Sequence, residues 1–214
     1  NVNGLRKWFN GPNSRLDNLI AVFTNDPQLS DISGLRDWNV SNVVNGANRL
    51  FAGDSSLSDL SPLRNWNVAN FSKRAKSFTN GMYAMFAKTG VSDTSPLQNW
   101  NLGDTCSLGE MFVYDPNLKK VNLSNWDTRN VRFISSNFNL PNLKAFLGMF
   151  SANSPQKGYD SIQEVVLGPH ADLFERNSEL VLGPGPHVGL KQDSELANDP
   201  VAKVGWVSVK GSNQ

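Results

Sequence analysis

The sequence predicts an α/β solenoid: one elongated body of short parallel strands and short helices, capped at both ends. Three observations carry this expectation. The pair Leu-x-x-Trp recurs five times, at Leu5–Trp8, Leu35–Trp38, Leu63–Trp66, Leu97–Trp100 and Leu123–Trp126. Successive tryptophans of these pairs are 30, 28, 34 and 26 residues apart, and a near-constant period in this range marks a stacked repeat architecture. A phenylalanine follows each pair, at Phe23, Phe51, Phe86, Phe112 and Phe138.

The elements follow in chain order. Residues 1–28 read as an N-terminal capping coil, in which Arg15–Phe23 has helical spacing. Residues 29–142 form the repeat array. Its clearest copies are LSDISGLRDWNV at 29–40, LSDLSPLRNWNV at 57–68 and VSDTSPLQNWNL at 91–102. A fourth, LKKVNLSNWDT at 118–128, is one residue shorter before its tryptophan. The short apolar segment before each leucine suits a strand, and strands one repeat apart would pair in parallel. Pro62 and Pro96 cannot donate to a ladder, so those strands should end before them. The stretch from Asn39 to Phe51 has Asn and Ser of capping type, then spaced apolar residues, and predicts about two turns of helix. Trp66 to Phe86 spans 20 residues against 12 to 15 elsewhere, so an insertion lies within Ser72–Met85. Residues 143–214 read as degenerate repeats and closing strands, with strand patterns at Ile162–Leu167, Leu180–Leu182 and Val204–Val209. One unit is too small to bury its apolar stripe alone, and stacking makes the stripes one core. Each tryptophan so buried removes roughly 150–250 Å² from water, on the order of 4–6 kcal/mol as an upper bound. Five of them would dominate the stability.

Composition narrows the function classes. The 214 residues carry a net charge of +1, with 18% charged residues, which gives no electrostatic case for nucleic acid or a membrane surface. There is no apolar run of 18 residues to span a membrane, and no signal peptide. The opening residues, Asn1 to Leu5, read as mid-repeat and suggest an excised fragment whose targeting signals lie elsewhere. The single cysteine, Cys106, excludes an internal disulfide framework. Both the cytosol and a Gram-positive surface are compatible with that.

The segments SDLSPLRNWNVANF (58–71) and LKKVNLSNWDTRNV (118–131) resemble the BspA-type leucine-rich repeat of surface proteins from lactic acid bacteria. Ala84-Met85-Phe86 and Glu110-Met111-Phe112 match the end of that repeat's helical half. Glu164–Pro169, followed by Val204-Gly205-Trp206-Val207, is similar to the way such domains end. The resemblance covers residues 29–142 well and the flanks loosely. It implies a leucine-rich-repeat-like solenoid and a cell-surface adhesive domain, often ahead of mucin-binding modules and a wall anchor. It defines no ligand residues. The insertion and the absence of tryptophan from the repeats after Trp126 depart from the pattern.

Catalytic readings find little. The only histidines, His170 and His187, both lie in Gly-Pro-His tripeptides, and no nucleophile elbow stands out. Two histidines and one cysteine do not readily supply a zinc site. Gly183-Pro184-Gly185-Pro186 lacks the N–H donors of a phosphate cradle and reads as a turn. The chain is therefore not expected to be an enzyme.

Two polar features are candidates for binding. Asp31, Asp59 and Asp93 share one repeat position, each followed two residues later by Ser33, Ser61 or Ser95. Later repeats place Lys119, Lys120 and Lys144 near that position. Stacked carboxylates repel unless solvated, hydrogen-bonded or bound to a cation, and Ca²⁺ takes oxygen ligands of this type. The plainer role is local, each aspartate capping backbone N–H groups and setting the turn. Asn39, Asn67, Asn101 and Asp127, which follow the tryptophans, read as turn-formers. The second feature is the insertion, which carries Lys73, Arg74 and Lys76 and then Phe78 and Tyr83. It is either a binding loop or a longer helix with a solvated face. The expected function is a monomeric, non-catalytic adhesion domain for host glycoprotein, mucin or matrix protein, extracellular and wall-attached through other segments. The alternative is a structural spacer without a ligand.

Overall fold

In the computed structural model the described residues are 1–71, 73–74, 81–103, 107–127 and 164–167. Among them, each Leu-x-x-Trp pair of the first four repeats is preceded by a one-turn 3-10 helix: Asn3–Leu5, Ser33–Leu35, Ser61–Leu63 and Ser95–Leu97. The sequence dictates this locally. Asp31, Asp59 and Asp93 each accept the backbone N–H of the serine two residues on, at 2.8–2.9 Å, which curls the chain. Pro62 and Pro96 then sit in the first turn, where a fixed φ helps and the missing N–H costs nothing. Gly34 takes the same place in its repeat for another reason: a Cβ there would collide with the Val2 carbonyl oxygen of the repeat before.

Strands appear where this device is missing. The fourth copy has neither Pro nor Gly before its leucine, and its Lys120–Leu123 is extended as β1. It pairs in parallel with β2, Glu164–Leu167, in register Lys120↔Glu164 to Leu123↔Leu167. Asp93 bridges Lys120 in the same parallel sense. The strand pattern at Ile162–Leu167 thus corresponds to β2. The strands expected before Leu35, Leu63 and Leu97 are replaced by the 3-10 turns.

The tryptophans form the rungs between repeats. Trp38, Trp66, Trp100 and Trp126 are buried, with exposures of 1–6%. Each indole N–H donates to a leucine carbonyl one repeat earlier, on Leu5, Leu35, Leu63 and Leu97, at 2.8–3.0 Å. The same four carbonyls accept the backbone N–H of their own tryptophan, at 2.9–3.1 Å. Leu-x-x-Trp is therefore a paired device. Its leucine oxygen uses both lone pairs, one within the repeat and one for the next. Trp8 departs from the expected spine of five: it is 60% exposed. No leucine carbonyl of a preceding repeat lies against it among the described residues.

The phenylalanines form a second column. Phe23, Phe51, Phe86 and Phe112 stack nearly parallel, with centroids 5.6, 5.8 and 5.6 Å apart and planes within 10°. Phe138 lies outside the described residues.

Around each phenylalanine the chain is a pair of turns, where two helical turns were expected over Asn39–Phe51, and likewise over Arg15–Phe23. Two residues before it the backbone is left-handed, at Ala21, Arg49, Ala84 and Glu110, with φ of 50–57°. Two residues after it the backbone is left-handed again, at Asn25, Gly53, Lys88 and Tyr114, with φ of 60–89°. Non-glycine residues in this region are strained by roughly 1–2 kcal/mol each, so something must hold them there. What holds them is a ladder between repeats. The N–H groups of Leu19, Ala21, Phe23 and Asn25 donate to the carbonyls of Gly46, Asn48, Leu50 and Ala52. Those of Ala47, Arg49, Phe51 and Gly53 donate to Gly81, Tyr83, Met85 and Ala87, and the pattern repeats from Met82 to Lys88. All these bonds are 2.7–3.0 Å long. Every second N–H leaves the repeat, so a continuous helix cannot form.

Candidate functional site

The acidic row lies on the 3-10 turns. Asp59 and Asp93 each accept the serine N–H with one oxygen and the same serine's hydroxyl with the other, at 2.7–2.9 Å. Asp31 accepts the N–H of Ser33 and, on its second oxygen, the side-chain amide of Asn3, both at 2.9 Å. The backbone bond from Ser33, above all, lowers the pKa of Asp31 below its ordinary value. Each carboxylate of the row thus accepts two hydrogen bonds, with both of its oxygens engaged. Among the described residues no three Asp, Glu, His or Cys side chains converge as a metal site. Asn39, Asn67 and Asn101 similarly accept the N–H two residues on, at 3.0–3.3 Å.

The basic candidates divide. Lys119 and Lys120 are exposed, and the backbone pairing of Lys120 with Asp93 brings the end of the acidic row against β1. Lys73 is exposed and apart from them, its N–H donating to the Asn70 carbonyl at 2.9 Å. Lys144, Cys106, His170 and His187 lie outside the described residues, as do residues 72 and 75–80 of the insertion.

Tyr83 is buried, and it holds repeats together. Its hydroxyl donates to Glu110 Oε2 at 2.7 Å, and the Arg49 guanidinium lies 5.7 Å from its ring centroid. Burial, reinforced by the Glu110 bond, pushes its pKa up to about 12. Lys88 sits similarly over Tyr114 at 5.4 Å. Arg49, Tyr83 and Glu110 come from three successive repeats, a line that sequence spacing did not isolate.

The sequence reading also missed a row of side chains three residues after each phenylalanine: Asp26, Asp54, Thr89 and Asp115. Asp54 is buried, and its Oδ1 accepts the N–H of Asp26 one repeat earlier at 2.8 Å. Asp115, also buried, accepts the N–H and hydroxyl of Thr89 at 2.6 and 3.1 Å. Burial pushes Asp54 up to about 7, with the charge of Asp26 adding to it, and raises Asp115 well above the usual carboxylate range. The recurrence of Asp at this spacing was visible; its burial was not.

Chemically these groups cap turns and clamp neighbouring repeats. Their regularity is that of a repeat family. No curated protein and no solved structure matches the chain. Residues 3–81, and again 79–143, match the family described as "Mycoplasma protein of unknown function, DUF285", and the chain belongs to that family.

Proposed function

We propose that this chain is a non-catalytic binding module: a leucine-rich-repeat-like solenoid of BspA type from a bacterial surface protein, adhering to host glycoprotein, mucin or matrix protein. The supporting observation is the register of exposed polar positions over a buried aromatic spine. The tryptophan rungs and phenylalanine column hold equivalent side chains at a fixed rise, and an extended ligand can meet such rows many times. On this reading the protein acts outside the cell, attached through segments beyond this chain, and needs no cofactor.

One observation favours the alternative of a spacer. The acidic row spends its oxygens on local serine and asparagine donors, which leaves it less to offer a ligand. Binding to immobilised mucin and matrix proteins decides between the two. Adhesion predicts saturable binding that weakens in Asp59→Asn, Asp93→Asn or Lys120→Gln. Binding no higher than to an albumin-coated surface would leave the spacer.

A further inference from the structure

A row of arginines recurs directly after the leucines of the first three pairs, and of the three only Arg6 forms an ion pair among the described residues, with Asp37 one repeat on. Arg6, Arg36 and Arg64 each follow the leucine of a Leu-x-x-Trp pair and close the 3-10 turns of the first three repeats. Their backbones are nearly identical, with φ of −54°, −53° and −51° and ψ of −31°, −41° and −38°, so their side chains leave the chain in one orientation. All three are exposed. The same three repeats carry Phe23, Phe51 and Phe86, whose centroid spacings of 5.6 and 5.8 Å measure the rise from one repeat to the next. The row ends there, because Gln98 and Ser124 take the position in the following repeats.

The charge balance along the row is unequal. Arg6 pairs with Asp37, at 3.4 Å. Lys7 adds a further exposed cation beside Arg6. The nearest acidic row, Asp31, Asp59 and Asp93, is engaged by its own serines and Asn3. Guanidinium groups cannot shed their charge. Like charges at one-repeat spacing repel, and an anionic chain lying along the row would turn that repulsion into attraction.

We infer that Arg6, Arg36 and Arg64 form a binding track for a linear anionic polysaccharide. This rests on the adhesion reading and names its ligand class and residues. Guanidinium forks accept sulfate and carboxylate alike, so both chemistries belong in the test. Single-stranded nucleic acid binds on exposed aromatic side chains that stack its bases, whereas Trp38, Trp66, Phe51 and Phe86 of these repeats are buried.

The experiment measures binding of the whole chain to dextran sulfate, polygalacturonate, neutral dextran and a single-stranded oligonucleotide, at several salt concentrations. The expected result is salt-sensitive binding to one or both acidic polysaccharides and none to dextran. The triple variant Arg6→Gln, Arg36→Gln, Arg64→Gln should bind about tenfold more weakly, taking the usual modest value for each exposed charge pair. A control triple, Arg15→Gln, Lys157→Gln, Lys191→Gln, removes the same charge elsewhere in the sequence and should bind as the wild type does. Circular dichroism and melting temperature verify folding of each variant. Equal losses in both triples, no polysaccharide binding, or preferred binding of the oligonucleotide would each overturn the inference. If mucin binding persists undiminished in the arginine triple, the track is wrong while the adhesion reading stands. If acidic polysaccharides bind through the row and mucin does not, the track stands and the host ligand is wrong.

Discussion

Trp8 and Trp66 occupy the same place in their repeats, follow the same leucine and close the same backbone turn, yet one is exposed and the other buried. The difference lies in the repeat before. The Trp66 indole meets the Leu35 carbonyl, which is already turned by its own Trp38. Trp8 meets no such carbonyl among the described residues. A Leu-x-x-Trp pair is thus half of an interface, and its contribution depends on a neighbour that the pair itself does not encode.

That contrast can be broken most directly by truncating the rungs. Trp66→Ala or Trp100→Ala should cost about 3–5 kcal/mol in chemical denaturation, the usual loss for a large buried aromatic. Trp8→Ala should change stability by no more than about 0.5 kcal/mol, as at other exposed sites. Equal losses at Trp8 and Trp66 would show that the indole rungs do not govern stability.

A second, smaller effect separates the two tight turns. Gly34→Ala should destabilise by about 1–3 kcal/mol, because its methyl group meets the Val2 backbone. Pro62→Ala, at the same position one repeat later, should lose only about 0.4–1 kcal/mol, mostly through a less restricted unfolded chain. A reversal of that order would mean that the first repeat is not packed against Gly34.

The smallest contrast is between carboxylates, and it is read from pH. Asp54 rises from its ordinary 3.8 to about 7 in the folded chain. Between those values the folded state keeps a proton that the unfolded state has released. The stability this gives is fully present below pH 3.8 and is lost as pH rises through about 7. Asp115 is shifted in the same direction, whereas Asp31 is shifted in the opposite one. Melting temperature should therefore fall from pH 5 to pH 8, and Asp54→Asn should flatten that slope. A slope unchanged in the variant would exclude Asp54 as its source.

Legibility in the sequence followed the range of the interaction. The Leu-x-x-Trp pairs and the phenylalanine column were legible because large aromatics at a fixed period have few uses other than stacking. The role of the Ser-Asp pairs was legible as one of two options because an aspartate two residues before a serine closes a turn with no outside help. The turns around the phenylalanines were read as helix. Apolar spacing of three and four residues is shared by a helix and by successive turns, and only the destination of each N–H distinguishes them. The acid row at Asp26, Asp54 and Asp115 is periodic in the sequence, but nothing local indicates that Asp54 and Asp115 are buried. Tyr83 stands out in the sequence only as an aromatic of the insertion, and its partners Arg49 and Glu110, 34 and 27 residues away, are visible only in the fold.

By itself, the sequence determined the period, the aromatic columns and the turns that Asp, Ser, Pro and Asn close within a few residues, all of them interactions of short range. Tertiary structure decided the rest: which tryptophan is covered, that Ala21, Arg49, Ala84 and Glu110 accept left-handed backbone, and that Asp54 and Asp115 are buried. Each of these depends on a hydrogen bond or a contact from the adjacent repeat, roughly thirty residues away, and no local preference can supply it.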